Sequence, residues 1–270
     1  MADVSGSDVW HTTDAYEAYM GRWSRPLARA FVAWFAAPTG LRWLDVGCGT
    51  GALTEAVLAA ADPDAVLGID PSAEYLGAAT THLADPRARF EVGDARALPV
   101  PSDDYDAVVA GLVLNHVPDP ASAVAEMARA ARSGGTVGAY VWDYLGEMRL
   151  VRTFWEGVAA VDADAATQDL RAHYHICQPE LLAALFRAAG LGDVAVDALD
   201  LPMRFRDFDD FWQPHTMPGP APAQRFVAAL DDGATVALRE HLRTMLPIAA
   251  DGTIDLIGRA WAVRGTKPTA

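Results

Sequence analysis

The stretch Leu41–Ala61, LRWLDVGCGTGALTEAVLAAA, decides how the rest of the chain is read. An apolar run carrying one acid, Asp45, gives way to Gly47, Gly49 and Gly51, and an Ala-rich run follows at once. This pattern predicts a strand over 42–46, a bare loop, and a helix. Glycine permits a tight turn and close approach of a ligand to the main chain, while the first turn of a helix presents N–H groups with no partner in the helix. The loop is therefore expected to hold a ligand against backbone.

Outward from this unit, apolar strand-like runs alternate with Ala-rich helical stretches through about the first 200 residues. Such alternation predicts an α/β fold, a parallel sheet with helices on both faces. Strands are expected near 42–46, 65–69, 88–92, 105–111, 135–142 and 192–200. Helix starts are marked by Ser72 ahead of AEYLGAAT, by Asp119-Pro120 and by Gln178-Pro179, and Gly190 is placed as a helix stop. The segment DGTIDLIGRAWAVRG (251–265) reads as a turn and a long strand. With no crossover helix before it, that strand should enter antiparallel. The Pro-rich patch QPHTMPGPAPAQ (213–224) reads as a loop. Residues 145–177 and 202–250 fall outside the alternation and are taken as cap insertions for a substrate, within a single domain spanning 1–270.

A 270-residue chain with 51% hydrophobic and 21% charged residues has the composition of a soluble globular protein. Its formal net charge of −15 argues against a nucleic-acid partner, because phosphate-backbone binding draws its affinity from Lys and Arg. No apolar run approaches the roughly 20 residues of a spanning helix, so no membrane partner is expected. The first 20 residues carry neither a basic nor an apolar signal region, and the two cysteines, Cys48 and Cys177, lack zinc spacing. A cytoplasmic monomer or homodimer is expected, with Cys48 filling a small slot.

The glycine pattern alone is ambiguous. Gly47-x-Gly49-x-x-Ala52 also satisfies a dinucleotide fingerprint, with Asp70 at the end of the second strand placed for the ribose of NAD. Asp45, two residues before the first glycine, and Asp94 in EVGDARALP shift the balance. With these, WLDVGCGTGALT, GIDPSAEYL, FEVGDARALPVPSDDYDAVVAGLVLNHVPDP and MARAARSGGTVGAYVW, roughly Leu41 to Trp142, resemble the class I S-adenosylmethionine-dependent methyltransferases. Within them the chain is similar to the small-molecule group that includes the ubiquinone and menaquinone C-methyltransferases.

The resemblance implies a Rossmann-like seven-stranded sheet of order 3-2-1-4-5-7-6 with the last strand antiparallel. It implies S-adenosyl-L-methionine as cofactor, with Asp45, Gly47, Gly49 and Gly51 around the methionine part. Asp70, followed by Pro71, would take the ribose hydroxyls. Asp94 would accept from the adenine amino group beside the Ala95 N–H, and Gly111 and Leu112 would face the sulfonium. The usual RPGG turn is here ARSGG, a departure expected to touch only the turn. Asn115 and His116 would sit at the mouth of the site. An N-terminal helical lid over 1–38 would bring Tyr16 or Tyr19 over the transfer pocket and Arg22 to the cofactor carboxylate. Asp14 with Glu17 reads as a capping box, and Ser24 with Pro26 as the start of a second helix.

Methyl transfer from a sulfonium asks the protein for binding, alignment and exclusion of water, and for a base only when the nucleophile arrives protonated. His116, His173 and His175 are the candidate bases. No metal is expected, Asp143 being a lone acid where a metal-dependent enzyme would need a cluster. LVLNHVPDP lacks both the Asn/Asp-Pro-Pro-aromatic signature of adenine or glutamine methylation and a Pro-Cys nucleophile, so a small-molecule methyl acceptor is expected. Tyr140, Trp142, Tyr144, Phe154, Trp155, Tyr174, Phe205, Phe208, Phe211 and Trp212 suggest an aromatic acceptor pocket or a core. Three readings stand: methyl transfer to O, N or C of a small metabolite, a protein that binds the cofactor without methylating, and a nicotinamide-dependent oxidoreductase.

Overall fold

The computed structural model describes residues 20–162, 174–219 and 221–269. One sheet contains β1 (Arg42–Val46), β2 (Ala65–Asp70), β3 (Ala88–Val92), β4 (Tyr105–Gly111), β5 (Ala131–Trp142), β6 (Gly192–Phe205) and β7 (Ile254–Thr266). Their order is β3-β2-β1-β4-β5-β7-β6. The pairs β1–β2, β1–β4, β2–β3 and β4–β5 are parallel, and β7 runs antiparallel to β5 from Thr136↔Thr266 to Trp142↔Ala260. Both the expected order and the antiparallel last strand are thus observed.

The chain forms two compact units. The first comprises Ser24–Trp142, His175–Leu199 and Ala260–Ala270, and the second Met1–Trp23, Asp143–Tyr174 and Asp200–Arg259. In the first, parallel strands covered on both faces must be apolar along their whole length. Trp43, Leu44 and Val46 of β1 and Ala107–Ala110 of β4 are accordingly buried. Asp45 is the exception, a carboxylate at 0% exposure in the central strand.

The helix starts follow local chemistry. In α1 (Arg22–Phe35) the helix passes through Pro26. Ser24 and Pro26 therefore do not open it, contrary to the expectation from sequence: Pro26 is the fifth residue of the helix, and the buried Leu27, Phe31 and Phe35 offset the one N–H it lacks. Helix α2 (Ala52–Ala60) leaves the glycine loop from Gly51 at φ 87°. Ser72 caps α3 (Ala73–His82) through the Tyr75 N–H, and Asp119 caps α4 (Pro120–Ala130) through the Ser122 N–H. The Cys48 thiol does fill a tight slot, since a Cβ on Gly68 would lie 2.8 Å from its sulfur.

The second unit is built on α5 (Arg149–Val161), whose Leu150, Phe154, Trp155 and Val158 are buried. Helix α6 (Pro179–Ala188) belongs to the first unit, starts at Gln178-Pro179 and ends at Gly190, φ 81°. The patch 213–224 is not one loop. Helix α7 (Phe208–Thr216) runs through Pro214, and α8 (Pro222–Ala228) starts on Pro222, so only the residues between them connect. Gln224 donates to the Pro214 carbonyl at 3.0 Å, tying the two together. Helix α9 (Asp232–Met245) crosses α5 at Gly157, where a Cβ would meet Leu242 at 2.5 Å. Strand β6 extends to Phe205 because Leu201, Met203 and Phe205 are buried while Pro202 and Arg204 are exposed, the alternation of a one-sided strand.

The aromatic residues of the insertions largely pack on one another. Phe154 stacks on His215 at 4.6 Å, Trp155 and Phe226 lie 5.7 Å apart, and Phe205 meets Phe211 edge-on at 5.5 Å. With Phe154, Trp155, Phe205, Phe208, Phe211 and Trp212 all buried, these rings are the core of the second unit. Burial also pushes His215 down to about 4, so its ring is neutral at pH 7. Among the described residues no helix is long and apolar enough to cross a membrane.

Candidate functional site

The C-terminal ends of β1, β2 and β4 lie side by side at the point where the sheet order reverses, the place where open α/β sheets bind ligands. The Gly47 and Cys48 N–H groups both donate to the Ile69 carbonyl, at 2.7 and 3.0 Å, so the loop after β1 is folded onto the end of β2. Gly47, Gly49 and Gly51 take φ of 71°, 52° and 87°, in the left-handed region that favours glycine. A Cβ on Gly47 would lie 2.5 Å from Val113, and one on Gly51 2.7 Å from Leu83. Nothing lies within 4 Å of where a Cβ on Gly49 would sit, so that glycine leaves open space at the loop's tip.

Two carboxylates fix this loop. Asp70 accepts the Gly49 N–H on one oxygen at 3.0 Å and the Ser72 N–H on the other at 2.8 Å. Burial raises its pKa, an effect those two N–H groups partly offset. Each oxygen keeps a lone pair for a further donor, as a vicinal diol requires. Asp45 accepts from the Thr54 hydroxyl at 2.7 Å on one oxygen, while Oδ1 is buried with no partner among the described residues. Desolvation, opposed by Thr54 and reinforced by Asp70, pushes Asp45 up to about 7. An orphaned acceptor in a buried, acidic spot suits a cation.

The raised Asp45 pKa makes a prediction for the unliganded protein. Between about pH 4 and 7 the folded chain keeps a proton that the unfolded chain has released, so stability falls as pH rises through that window. Melting curves from pH 5 to 8 should show the wild type losing more than Asp45→Asn, which cannot titrate there. Parallel losses in the two proteins would mean that Asp45 does not titrate in that window.

The remaining candidates take varied positions. Asp94 follows β3, and the Gly93 N–H donates to the Asp70 carbonyl at 3.2 Å, linking the two acidic turns. Its carboxylate is held by Arg96 through both the backbone N–H (2.9 Å) and the guanidinium (2.6 Å), which keeps its pKa low. Ala95 lies between them, and Pro71 is exposed beyond Asp70. Gly111 ends β4 beneath the Tyr140 hydroxyl, 2.5 Å from where its Cβ would be. Leu112 is held at φ 59°, its N–H donating to the Tyr140 carbonyl at 2.8 Å. A left-handed leucine costs about 1–2 kcal/mol, and residues held so tend to cluster at functional sites. His116 is exposed at the end of the 3-10 turn Leu114–His116. His175 is exposed in the turn ahead of α6, its carbonyl accepting from Gln178.

Arg22 belongs to the second unit, where it pairs with Asp210 at 3.1 Å, donates to the Arg204 carbonyl and lies over the Trp23 and Phe205 rings. Tyr16, Tyr19, Asp14, Glu17 and His173 lie outside the described residues. Asp143 is buried and accepts the Glu147 N–H at 2.8 Å, a local turn contact. Among the described residues no group of three or more His, Cys, Asp or Glu is placed to hold a metal ion. Sequence reasoning missed Thr54 and Arg96 as partners of the two acids. Thr54 carried a signal, being the only hydroxyl in the ALTEAVLAA helix. Arg96 carried none, because an arginine two residues after an acid is common on any surface.

The donor and acceptor set fits S-adenosylmethionine: an orphaned acceptor for the ammonium, bare backbone, a carboxylate poised over two N–H groups for the ribose, and an acid after β3. Comparison with known proteins agrees. A family described as "Methyltransferase domain" matches residues 44–138. The demethylmenaquinone methyltransferase of Roseiflexus sp. strain RS-1 is 33% identical over 173 residues, 60% of this chain and 73% of that protein. The ubiquinone biosynthesis O-methyltransferase of Methylococcus capsulatus is 43% identical over 115 residues, 42% of this chain and 48% of that one. Phosphoethanolamine N-methyltransferase 2 of Haemonchus contortus, solved with S-adenosyl-L-methionine, shares the fold at a TM-score of 0.58. It is 20% identical, with 95% of this chain and 56% of that one covered.

Proposed function

Because the chain belongs to the S-adenosylmethionine-dependent methyltransferase family, we propose that it transfers the methyl group to O, N or C of a small aromatic metabolite. Family membership also resolves the ambiguous glycine pattern against the nicotinamide reading. The observation that carries the proposal is the built cradle, in which Asp70 bonds the Gly49 and Ser72 N–H groups and Asp45 keeps one oxygen unpaired. Relatives named for demethylmenaquinone and for ubiquinone biosynthesis support an aromatic acceptor, and the net charge of −15 disfavours a polyanionic one.

When bound, the cofactor supplies a sulfonium methyl that is electrophilic without acid catalysis. The chain's own groups then have distinct tasks. Asp45 and the loop from Gly47 to Gly51 hold the amino-acid end, and Asp70 accepts the ribose hydroxyls. Asp94, sharing its oxygens between Arg96 and the ligand, accepts from the adenine amino group beside the Ala95 N–H. Gly111 and Leu112 line the sulfonium side. His116, at the end of the 3-10 turn that follows β4, takes the proton of a hydroxyl acceptor, with His175 the second imidazole available. The insertions 145–177 and 202–250 select the acceptor.

The test has two arms. S-adenosylmethionine and S-adenosylhomocysteine should each raise the melting temperature and NAD should not; a ligand at 100 times its Kd adds about 2.7 kcal/mol. Labelled methyl should then move from the cofactor to members of a panel of catechols, hydroquinones and phenols. Binding with no turnover on any of them would remove the aromatic acceptor.

A further inference from the structure

The unit that carries the orphaned Asp45 oxygen also carries an orphaned donor. The Asn115 side-chain amide nitrogen is shielded from solvent with no hydrogen-bond partner among the described residues, although the residue as a whole is only half-buried. Leaving such a donor unsatisfied costs about 1–3 kcal/mol. The segment around it is fixed: Leu112 is tied to Tyr140, Leu114 is buried, and the His116 N–H donates to the Val113 carbonyl at 2.7 Å. The Val113 side chain packs where a Cβ on Gly47 would sit. Asn115 therefore stands two residues from a side chain that touches the glycine loop.

Sheet order says which part of a ligand lies there. From β1, the neighbours on one side are β2 and then β3, which end at Asp70 and just before Asp94, and on the other side is β4. A ligand with its ribose at Asp70 and its adenine toward Asp94 leaves its amino-acid end on the β1–β4 side. That end carries an ammonium and a carboxylate. Asp45 supplies an acceptor for the first, and the second needs a donor. We propose that Asn115 is a cofactor-binding residue whose side-chain amide donates to the carboxylate of S-adenosylmethionine. The proposal rests on the cofactor site and is independent of the acceptor class.

Calorimetry with two probes tests it: S-adenosylhomocysteine, and its decarboxylated analogue, which keeps the ammonium. Asn115→Ala should bind S-adenosylhomocysteine about 10- to 100-fold more weakly than wild type, the range for a hydrogen bond to a charged group, and the analogue equally well. Without ligand its melting temperature should be unchanged or higher, since the variant removes an unsatisfied donor. Asn115→Asp should bind S-adenosylhomocysteine at least as weakly as the alanine variant, because two carboxylates would face each other. Several results would overturn the assignment: unchanged affinity in Asn115→Ala, equal losses for both probes, a lowered melting temperature without ligand, or tighter binding by Asn115→Asp, which would put the side-chain oxygen on the ammonium. If wild type binds neither probe, the cofactor site itself is wrong and the proposal falls with it; if wild type binds and Asn115→Ala loses nothing, only the Asn115 contact is lost.

Discussion

Replacing Asp70 by alanine is expected to weaken S-adenosylmethionine binding by at least about 100-fold, through two losses that act together. The first is direct: hydrogen bonds from the ribose hydroxyls to a buried carboxylate are worth about 1.5–3 kcal/mol each, and two of them exceed the roughly 2.7 kcal/mol of a hundredfold change. The second is indirect. The same oxygens hold the Gly49 and Ser72 N–H groups, so the alanine variant also frees the tip of the loop and the entry to α3. Asp70→Asn separates the two. One face of its amide still accepts, but its NH2 meets a backbone N–H head-on, so its affinity should fall between those of wild type and the alanine variant. Titration calorimetry gives all three constants, and an alanine variant binding within tenfold of wild type would sink the ribose role.

The second large effect is on the fold. Gly47→Ala should destabilise the protein by about 2–5 kcal/mol, the sum of left-handed strain and overpacking. Its φ is 71°, and both Val113 methyls lie 2.5–2.6 Å from where the new Cβ would sit. Val113 cannot easily yield, being β-branched and following a leucine already held at φ 59°. For a chain of this size the melting temperature should drop by about 5–15 °C. Gly49→Ala is the matched control: φ is 52° but nothing lies within 4 Å, so only the strain of about 1–2 kcal/mol remains. It should fold nearly as well as wild type yet bind cofactor poorly, because its Cβ enters the open space at the tip. Equal melting temperatures for the two variants would show that Val113 moves freely.

The contrast between these two glycines shows what a sequence can carry. All three glycines, Asp45 and Asp70 were legible together because their spacing reflects a strand, a turn and a helix in succession, and each step is local. Ser72 and Asp119 were legible for the same reason, their partners being three residues away. What separates Gly47 from Gly49 is Val113, which comes from the turn after a different strand, β4, and has no local signature. Likewise Pro214 and Pro222 read as breakers, yet each is tolerated: one lies in a helix whose core contacts outweigh the lost N–H, the other stands at a first turn. The ring-rich insertions suggest an aromatic pocket from sequence, although aromatic residues more often build core. Burial decided for core, and burial is set by which segments meet, which composition does not reveal.

The place of β7 in the sheet has a bearing on how the chain is made. It lies between β5 and β6 although it is the last of the three to be synthesised. As the chain leaves the ribosome, β5 can dock on β4 at once, but its other edge stays open through more than a hundred residues of further translation, from Trp142 to Ile254. β6 emerges with no neighbour to join, its bridging strand not yet made. Both unpaired edges are surfaces on which nascent chains stick to one another. The sheet closes in a single late event, the insertion of one long strand into a waiting slot, and biogenesis depends on keeping that slot clear until it arrives.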